Sequence, residues 1–179
     1  MAAVSANKPT IYLPGGAMLP GSYKGQTLAC GTDSFVLWNQ YTSGSMTLKE
    51  VSQREGCLYG SAGACPIMGT ANTAQTVTEA LGLALPNAAS SLGVSSEKLR
   101  TSEMTGRKII ELIEKDIKCL DIVTRDSIEN AIRVLMAAGG STNLIIHLTA
   151  IAARAGIKLD LMEFDRISRE TPVLVNVKP

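Results

Sequence analysis

The stretch Ala62-Gly63-Ala64-Cys65-Pro66-Ile67-Met68-Gly69-Thr70-Ala71-Asn72-Thr73 runs directly into a helical pattern that ends Glu79-Ala80-Leu81-Gly82-Leu83-Ala84-Leu85-Pro86. A cysteine in a glycine-rich loop, just before small and hydroxylated residues that open a helix, sits where backbone N–H groups and the helix dipole favour a thiolate. That environment suits a metal-ligating sulfur. It equally suits a buried cysteine packing as a small hydrophobe beside a helix cap, and the loop alone leaves both readings open. The helix predicted over 70–85 is apolar on most faces and is stopped by Pro86, so it belongs inside a core.

Working outward, Thr10-Ile11-Tyr12-Leu13-Pro14 reads as a short strand. It empties into the Gly15-Gly16 and Pro20-Gly21 loops, the strand-to-loop arrangement at which α/β proteins place ligands. From Ser34 to Tyr59 the pattern is weakly helical, with Thr47-Leu48-Lys49-Glu50 resembling a capping box, and Asp33 reads as a turn or cap residue. Downstream, Leu99, Ile109, Ile110, Leu112, Ile113 and Ile117 recur at helical spacing, with Glu111/Lys115 and Glu114/Lys118 as i,i+4 pairs. Two helices divided near Gly106 are predicted there. A further helix starts at Thr124, carries Asp126 and Glu129 in its first turns and stops at Gly139-Gly140. The next begins at Ser141-Thr142-Asn143 and ends at Gly156; a short helix covers 162–169, and Pro172–Val177 reads as a closing strand.

The Gly139–Asn143 stretch has two readings of its own. Two glycines followed by three residues with N-cap chemistry present free donors and hydroxyls at a helix N-terminus, which suits a carboxylate or other anion. They also make an ordinary helix–helix turn with a capping side chain. His147, the only histidine, shares a stripe with Leu144, Leu148 and Ile151, so it reads as a core or interface histidine.

The 179 residues, 45% of them hydrophobic, can bury one ordinary core, so one domain is the default. Seventeen basic and sixteen acidic residues leave a net charge of +1 without clusters, so no electrostatic footprint for nucleic acid or an anionic membrane is present. Small molecules or proteins are the better partners. Cys30, Cys57, Cys65 and Cys119 have neither the paired spacings of a zinc site nor the density of a disulfide scaffold, which points to a reduced, cytoplasmic setting. Cys30 and Cys57 lack a helix-opening glycine-rich context, and Cys119 follows a charged amphipathic helix. No apolar run reaches the roughly 18 residues that span a bilayer, and Met1–Pro9 lacks the h-region of a secretory signal.

Six segments carry a resemblance. Gly15–Gly21, Gly31–Phe35, Cys65–Thr73, Glu79–Pro86, Arg125–Ile132 and Gly139–Leu148 occur in an order that resembles the dihydroxy-acid and sugar-acid dehydratase (IlvD/Edd) family. The resemblance covers nearly the whole chain, but only the middle and end of the N-terminal domain of the much longer family members. It implies that residues 1–179 are part of a cluster-binding N-terminal domain, with a three-layer α/β/α fold, a small mostly parallel sheet and a high helical share.

It also implies a chemistry: loss of water from a 2,3-dihydroxy acid to give a 2-keto acid, using an iron–sulfur cluster (2Fe-2S or 4Fe-4S) and magnesium. Cys65 matches the family's last cluster-ligating cysteine, and Ser141, Thr142 and Asn143 are the candidate substrate-binding residues. The substrate is a branched-chain dihydroxy acid or a sugar acid, and family members are homo-oligomers. The family's Cys-Asp-Lys motif would lie just before Met1, and its proposed base, a serine, belongs to the C-terminal domain. A hydro-lyase fragment, inactive by itself and with no catalytic residue assigned in this chain, is therefore the expectation. A non-catalytic α/β binding or assembly domain is the alternative.

Overall fold

The computed structural model describes residues 1–175. Nine helices and one hairpin make up the regular structure among them: α1 (Ala2–Ala6), β1 (Gly21–Tyr23), β2 (Gln26–Leu28), α2 (Thr32–Thr42), α3 (Leu48–Glu55), α4 (Thr70–Ala80), α5 (Ser96–Glu114), α6 (Cys119–Ile122), α7 (Arg125–Ala137), α8 (Asn143–Arg154) and α9 (Leu161–Glu170).

The main core is helix on helix. In α7, Ile128, Ala131, Ile132 and Leu135 repeat at three- and four-residue spacing and are all buried, which puts them on one stripe. That stripe meets Val77 and Leu81 from α4 and its C-cap, Leu144, Leu148 and Ala152 from α8, and Phe164 and Ile167 from α9. Caps set where these helices begin. The Thr124 hydroxyl accepts from the Ser127 amide while Ser127 Oγ accepts from the Thr124 amide, and Asp160 and Glu163 do the same for α9. Gly139, at φ +57°, closes α7 in the left-handed conformation. On the outside, Arg125 reaches Glu163, and Arg133 lies 3.5 Å from Glu170, tying α7 to α9.

A smaller core sits under the hairpin. Gly21 pairs with Leu28, Ser22 with Thr27 and Tyr23 with Gln26 in antiparallel register. Lys24 and Gly25, both at positive φ, form the two-residue turn whose twist suits such a hairpin. Leu28 packs with Leu37 of α2 and with Leu58 just beyond α3. The predicted box at Thr47 and Glu50 opens α3.

Several expectations are corrected. Among the described residues the sheet is a two-stranded antiparallel hairpin, and they form no mostly parallel sheet. Thr10–Pro14 carries no strand: it finds no strand partner, and the Tyr12 amide donates instead to the Leu83 carbonyl at the turn after α4 (2.6 Å). Helix α4 stops at Ala80, short of Leu85, because Gly82 adopts φ +82°. Its buried face includes Thr73 and Gln75, so it is less apolar than its sequence pattern suggested.

The segment around Gly106 is one unbroken helix, α5, since an exposed glycine costs a helix only about 1 kcal/mol. Leu99 is 73% exposed and Ile110 and Ile113 are exposed too; the inward face is built from Lys98, Thr101, Thr105 and Leu112 instead. Lys98 explains this, because its Nζ donates to the carbonyls of Pro14 (2.9 Å) and Ala88 (2.6 Å), and its desolvation pulls the ammonium pKa below its ordinary value. Pro172–Val175 forms no strand, Leu174 making a single backbone bond to Ala137, and the remainder of that predicted strand lies outside the described residues. His147 is exposed, not in the core.

The Glu111/Lys115 pair forms at 2.8 Å, with Lys108 as a second partner at 2.8 Å, whereas Lys118 pairs with Asp116. The two lysines, Lys108 first, lower the Glu111 carboxyl to about 2. A depressed carboxylate stabilises the fold above its unfolded pKa of 4.5, and that contribution is lost as pH falls toward 2. Glu111→Gln is therefore expected to melt below the parent at pH 6, with the gap shrinking through that window; a gap of constant size from pH 6 to pH 2 would refute the assignment.

Candidate metal and substrate site

Three loops meet around Cys65. The Gly15–Leu19 segment runs beside 61–64, with the Met18 amide donating to the Ala64 carbonyl and the Ala64 amide to the Gly16 carbonyl, both at 2.8 Å. This is a single parallel bridge, Ala17 to Ala64. The Gly93 amide adds a third strand of contact by donating to Ala17 (2.8 Å). Gly63 is required here: a Cβ on it would lie 2.6 Å from the Met18 nitrogen.

Helix α4 holds the loop from below. Asn72 Nδ2 donates to the carbonyls of Cys65 (2.6 Å) and Ile67 (2.8 Å), Gln75 Nε2 donates to Asn72 Oδ1 (2.9 Å), and Gln75 Oε1 accepts from the Gly16 amide (2.7 Å). Gln75 is buried, and both ends of its amide are bonded, where an unpaired one would cost about 1–3 kcal/mol. Sequence reasoning missed both residues as loop supports. The available signal was two amides, three residues apart, on a helix otherwise read as core.

Cys65 is half-buried and lies near Cys30 and Tyr59. Cys30, at the end of the loop after β2, has its thiol pKa raised, first by the neighbouring Cys65 thiol and then by burial. The Tyr59 hydroxyl nearby is itself raised, chiefly by the charge of the Cys30 sulfur. Cys65 therefore does not stand apart from the other cysteines, as its loop context suggested. Asp33 has the expected turn role, Oδ2 accepting from the Ala29 amide (2.7 Å).

The second candidate stretch reaches the same place. Ser141 Oγ lies 3.3 Å from Thr70 Oγ1, Asn143 Nδ2 donates to Thr70 Oγ1 (2.7 Å), and the Ser141 amide donates to Thr73 Oγ1 (3.0 Å). Thr142, exposed, is the N-cap of α8 and makes no side-chain cap bond; Gly69 before α4 has no side chain to make one. The start of α4, five residues after Cys65, thus lies beside that of α8, where the Asn143 amide donates to Ser141 Oγ (3.3 Å) and the Leu144 and Ile145 amides to the Ser141 and Thr142 carbonyls. Gly140 allows the approach, since a Cβ there would sit 2.5 Å from Thr73 Cγ2 and 2.9 Å from Leu135 Cδ1.

The profile of the family described as "Dihydroxy-acid/6-phosphogluconate dehydratase N-terminal" matches residues 1–179. The chain belongs to this dehydratase family. It is 47% identical over its full length to a dihydroxy-acid dehydratase of Thermodesulfovibrio yellowstonii and 44% identical to one of Sulfurisphaera tokodaii. A putative dehydratase of Rhizobium meliloti, named IlvD1, is 40% identical. The chain spans about a third of the length of these dehydratases, 32% of the first two and 31% of the third.

An iron–sulfur cluster takes about four protein ligands, sulfur in most cases. Among the described residues no group of three or more His, Cys, Asp or Glu side chains is placed to hold a metal ion. The site therefore fits one corner of a cluster rather than its whole ligand set: Cys65 is a half-buried residue on a loop fixed by Asn72. Cys119, fully buried, has its thiol raised by desolvation and is a core residue. A cavity of about 610 Å³ lies elsewhere, lined by residues including Ile11, Thr76, Glu79, Lys108 and Leu112.

Proposed function

We propose that this chain is the N-terminal part of a hydro-lyase that converts 2,3-dihydroxy carboxylates, branched-chain dihydroxy acids or sugar acids, to 2-keto acids. The observation that carries this reading is the meeting of the Cys65 loop with the start of α8 at Thr70, inside a chain of the dehydratase family. Cys65 is one sulfur ligand of an iron–sulfur cluster whose remaining ligands come from other parts of the full-length protein, and magnesium accompanies it. When bound, the cluster supplies a Lewis acid for the departing hydroxyl. This chain's own residues hold and orient: Ser141, Thr142 and Asn143, with the open α4 terminus at Thr70, receive the substrate carboxylate.

In the full-length protein this helix-rich part packs into a three-layer α/β/α arrangement. The enzyme works in the cytoplasm, where its free cysteines stay reduced, as a homo-oligomer that covers apolar side chains such as Leu99, Ile110 and Ile113.

Keto-acid formation from 2,3-dihydroxy-3-methylbutanoate and from a sugar acid tests the activity. The full-length protein, purified without oxygen, is expected to dehydrate at least one of them, and the 179-residue chain neither. Turnover by the chain alone, or none by the iron-loaded full-length protein on any 2,3-dihydroxy acid, overturns the reading.

A further inference from the structure

We infer that Lys98 is a positioning residue for the Cys65 loop, its buried ammonium fixing the two segments against which that loop is laid. Lys98 lies in the first turn of α5 and is 6% exposed. Burying a charge is costly unless hydrogen bonds replace its water, and here two backbone carbonyls do so, those of Pro14 at 2.9 Å and Ala88 at 2.6 Å. The dependence is mutual. The carbonyls solvate the ammonium, and the ammonium holds together two residues far apart in the chain. Pro14 and Ala88 are themselves buried, so water is poorly placed to take the lysine's part.

Both segments run on from Lys98 toward Cys65. Past Pro14, Gly16 lies along the lysine stem, where a Cβ on it would fall 2.9 Å from Lys98 Cε. The Gly16 carbonyl accepts from the Ala64 amide (2.8 Å), the Gly16 amide donates to Gln75 (2.7 Å), and the Met18 amide donates back to the Ala64 carbonyl (2.8 Å). Ala64 is the residue before Cys65. Past Ala88, the Gly93 amide donates to the Ala17 carbonyl (2.8 Å), and a Cβ on Gly93 would lie 3.2 Å from the Ala62 carbonyl oxygen. Asn72 holds the loop directly, by its Cys65 and Ile67 carbonyls; Lys98 acts one step further back, through the segments that pair with Ala64. A methionine in its place would fill the stem's space and leave both carbonyls without a donor, whereas an arginine keeps the charge and the donors.

The inference deepens the cluster reading proposed above and rests on it. In the 179-residue chain, Lys98→Met is expected to speed hydrogen exchange of the Gly16, Met18, Ala64 and Gly93 amides by about tenfold or more, with the α7 amides from Ile128 to Leu135 at parental rates; Lys98→Arg should return the junction to parental rates. In the full-length protein, purified without oxygen, Lys98→Met is expected to lose most of its iron and to change the visible absorption of what remains, and Lys98→Arg to match the parent in both. Unchanged exchange at the junction, or equal acceleration in α7, overturns the clamp, and faster exchange with parental iron and absorption overturns the positioning role. Should Lys98→Met not fold, Lys98→Gln, which keeps a donor for one carbonyl, is read by the same outcomes, and a folded Lys98→Arg with a loosened junction or lost iron overturns the inference by itself. The exchange measurement needs no metal and Cys65→Ser reads the cluster assignment, so failure of the clamp and failure of that assignment are told apart.

Discussion

Cys65→Ser in the full-length protein is expected to remove nearly all of its iron and acid-labile sulfide, while Cys119→Ala leaves both at the level of the parent. The two cysteines differ in what their sulfurs can reach. Cys65 stands half-exposed on a loop whose carbonyls are gripped by Asn72 at 2.6 and 2.8 Å, so its position is set before any metal arrives. Cys119 has no exposed surface and packs in the main core; its replacement costs packing but no ligand. Iron and sulfide assays on protein purified without oxygen, beside the visible absorption of the same samples, provide the measurement. Parental iron content in Cys65→Ser would remove the sulfur from the site.

Gly140→Val is expected to destabilise the chain by about 1–3 kcal/mol through overpacking, and Gly106→Ala to stabilise it by up to about 1 kcal/mol. At Gly140 even the first added carbon falls 2.5 Å from Thr73 Cγ2 and 2.9 Å from Leu135 Cδ1. Neither can yield easily: Thr73 is buried and its hydroxyl is engaged by the Gly69 carbonyl and the Ser141 amide, and Leu135 is in the α7 stripe. The strain therefore separates α8 from α4 and moves Ser141 and Asn143 away from Thr70. At Gly106 a Cβ meets nothing within 4 Å, so only the helix preference for alanine is felt. Urea unfolding of the two variants decides, and a pair of midpoints shifted in the same direction would contradict the packing.

Helix starts were legible because their signals are local. Thr47 with Glu50 and Thr124 with Ser127 satisfy each other within three residues, and such a cap needs no tertiary partner. Helix ends were harder. Gly82 stops α4 before Pro86 can, and Gly106, with φ in the helical range, stops nothing, because a glycine allows either outcome and its surroundings choose.

Sequence alone determined the chemical character of this protein: the Cys65 loop opening a helix, the donor-rich Ser141–Asn143 start, and the family that both resemble. Tertiary structure decided which of these residues meet. Thr10–Pro14 has the composition of a strand, but a strand exists only where another edge accepts its hydrogen bonds, and here Leu83 and Lys98 take that backbone instead. Leu99, Ile110 and Ile113 have the spacing of a core face, yet the buried amine of Lys98 turns the other side of α5 inward, where two carbonyls solvate it. The approach of Cys30 to Cys65 and of Gln75 to Gly16 joins residues far apart in the chain. Side-chain periodicity reports which face of an element is apolar; it carries no information about which distant loop a thiol or an amide will face, because that is set only when the elements pack.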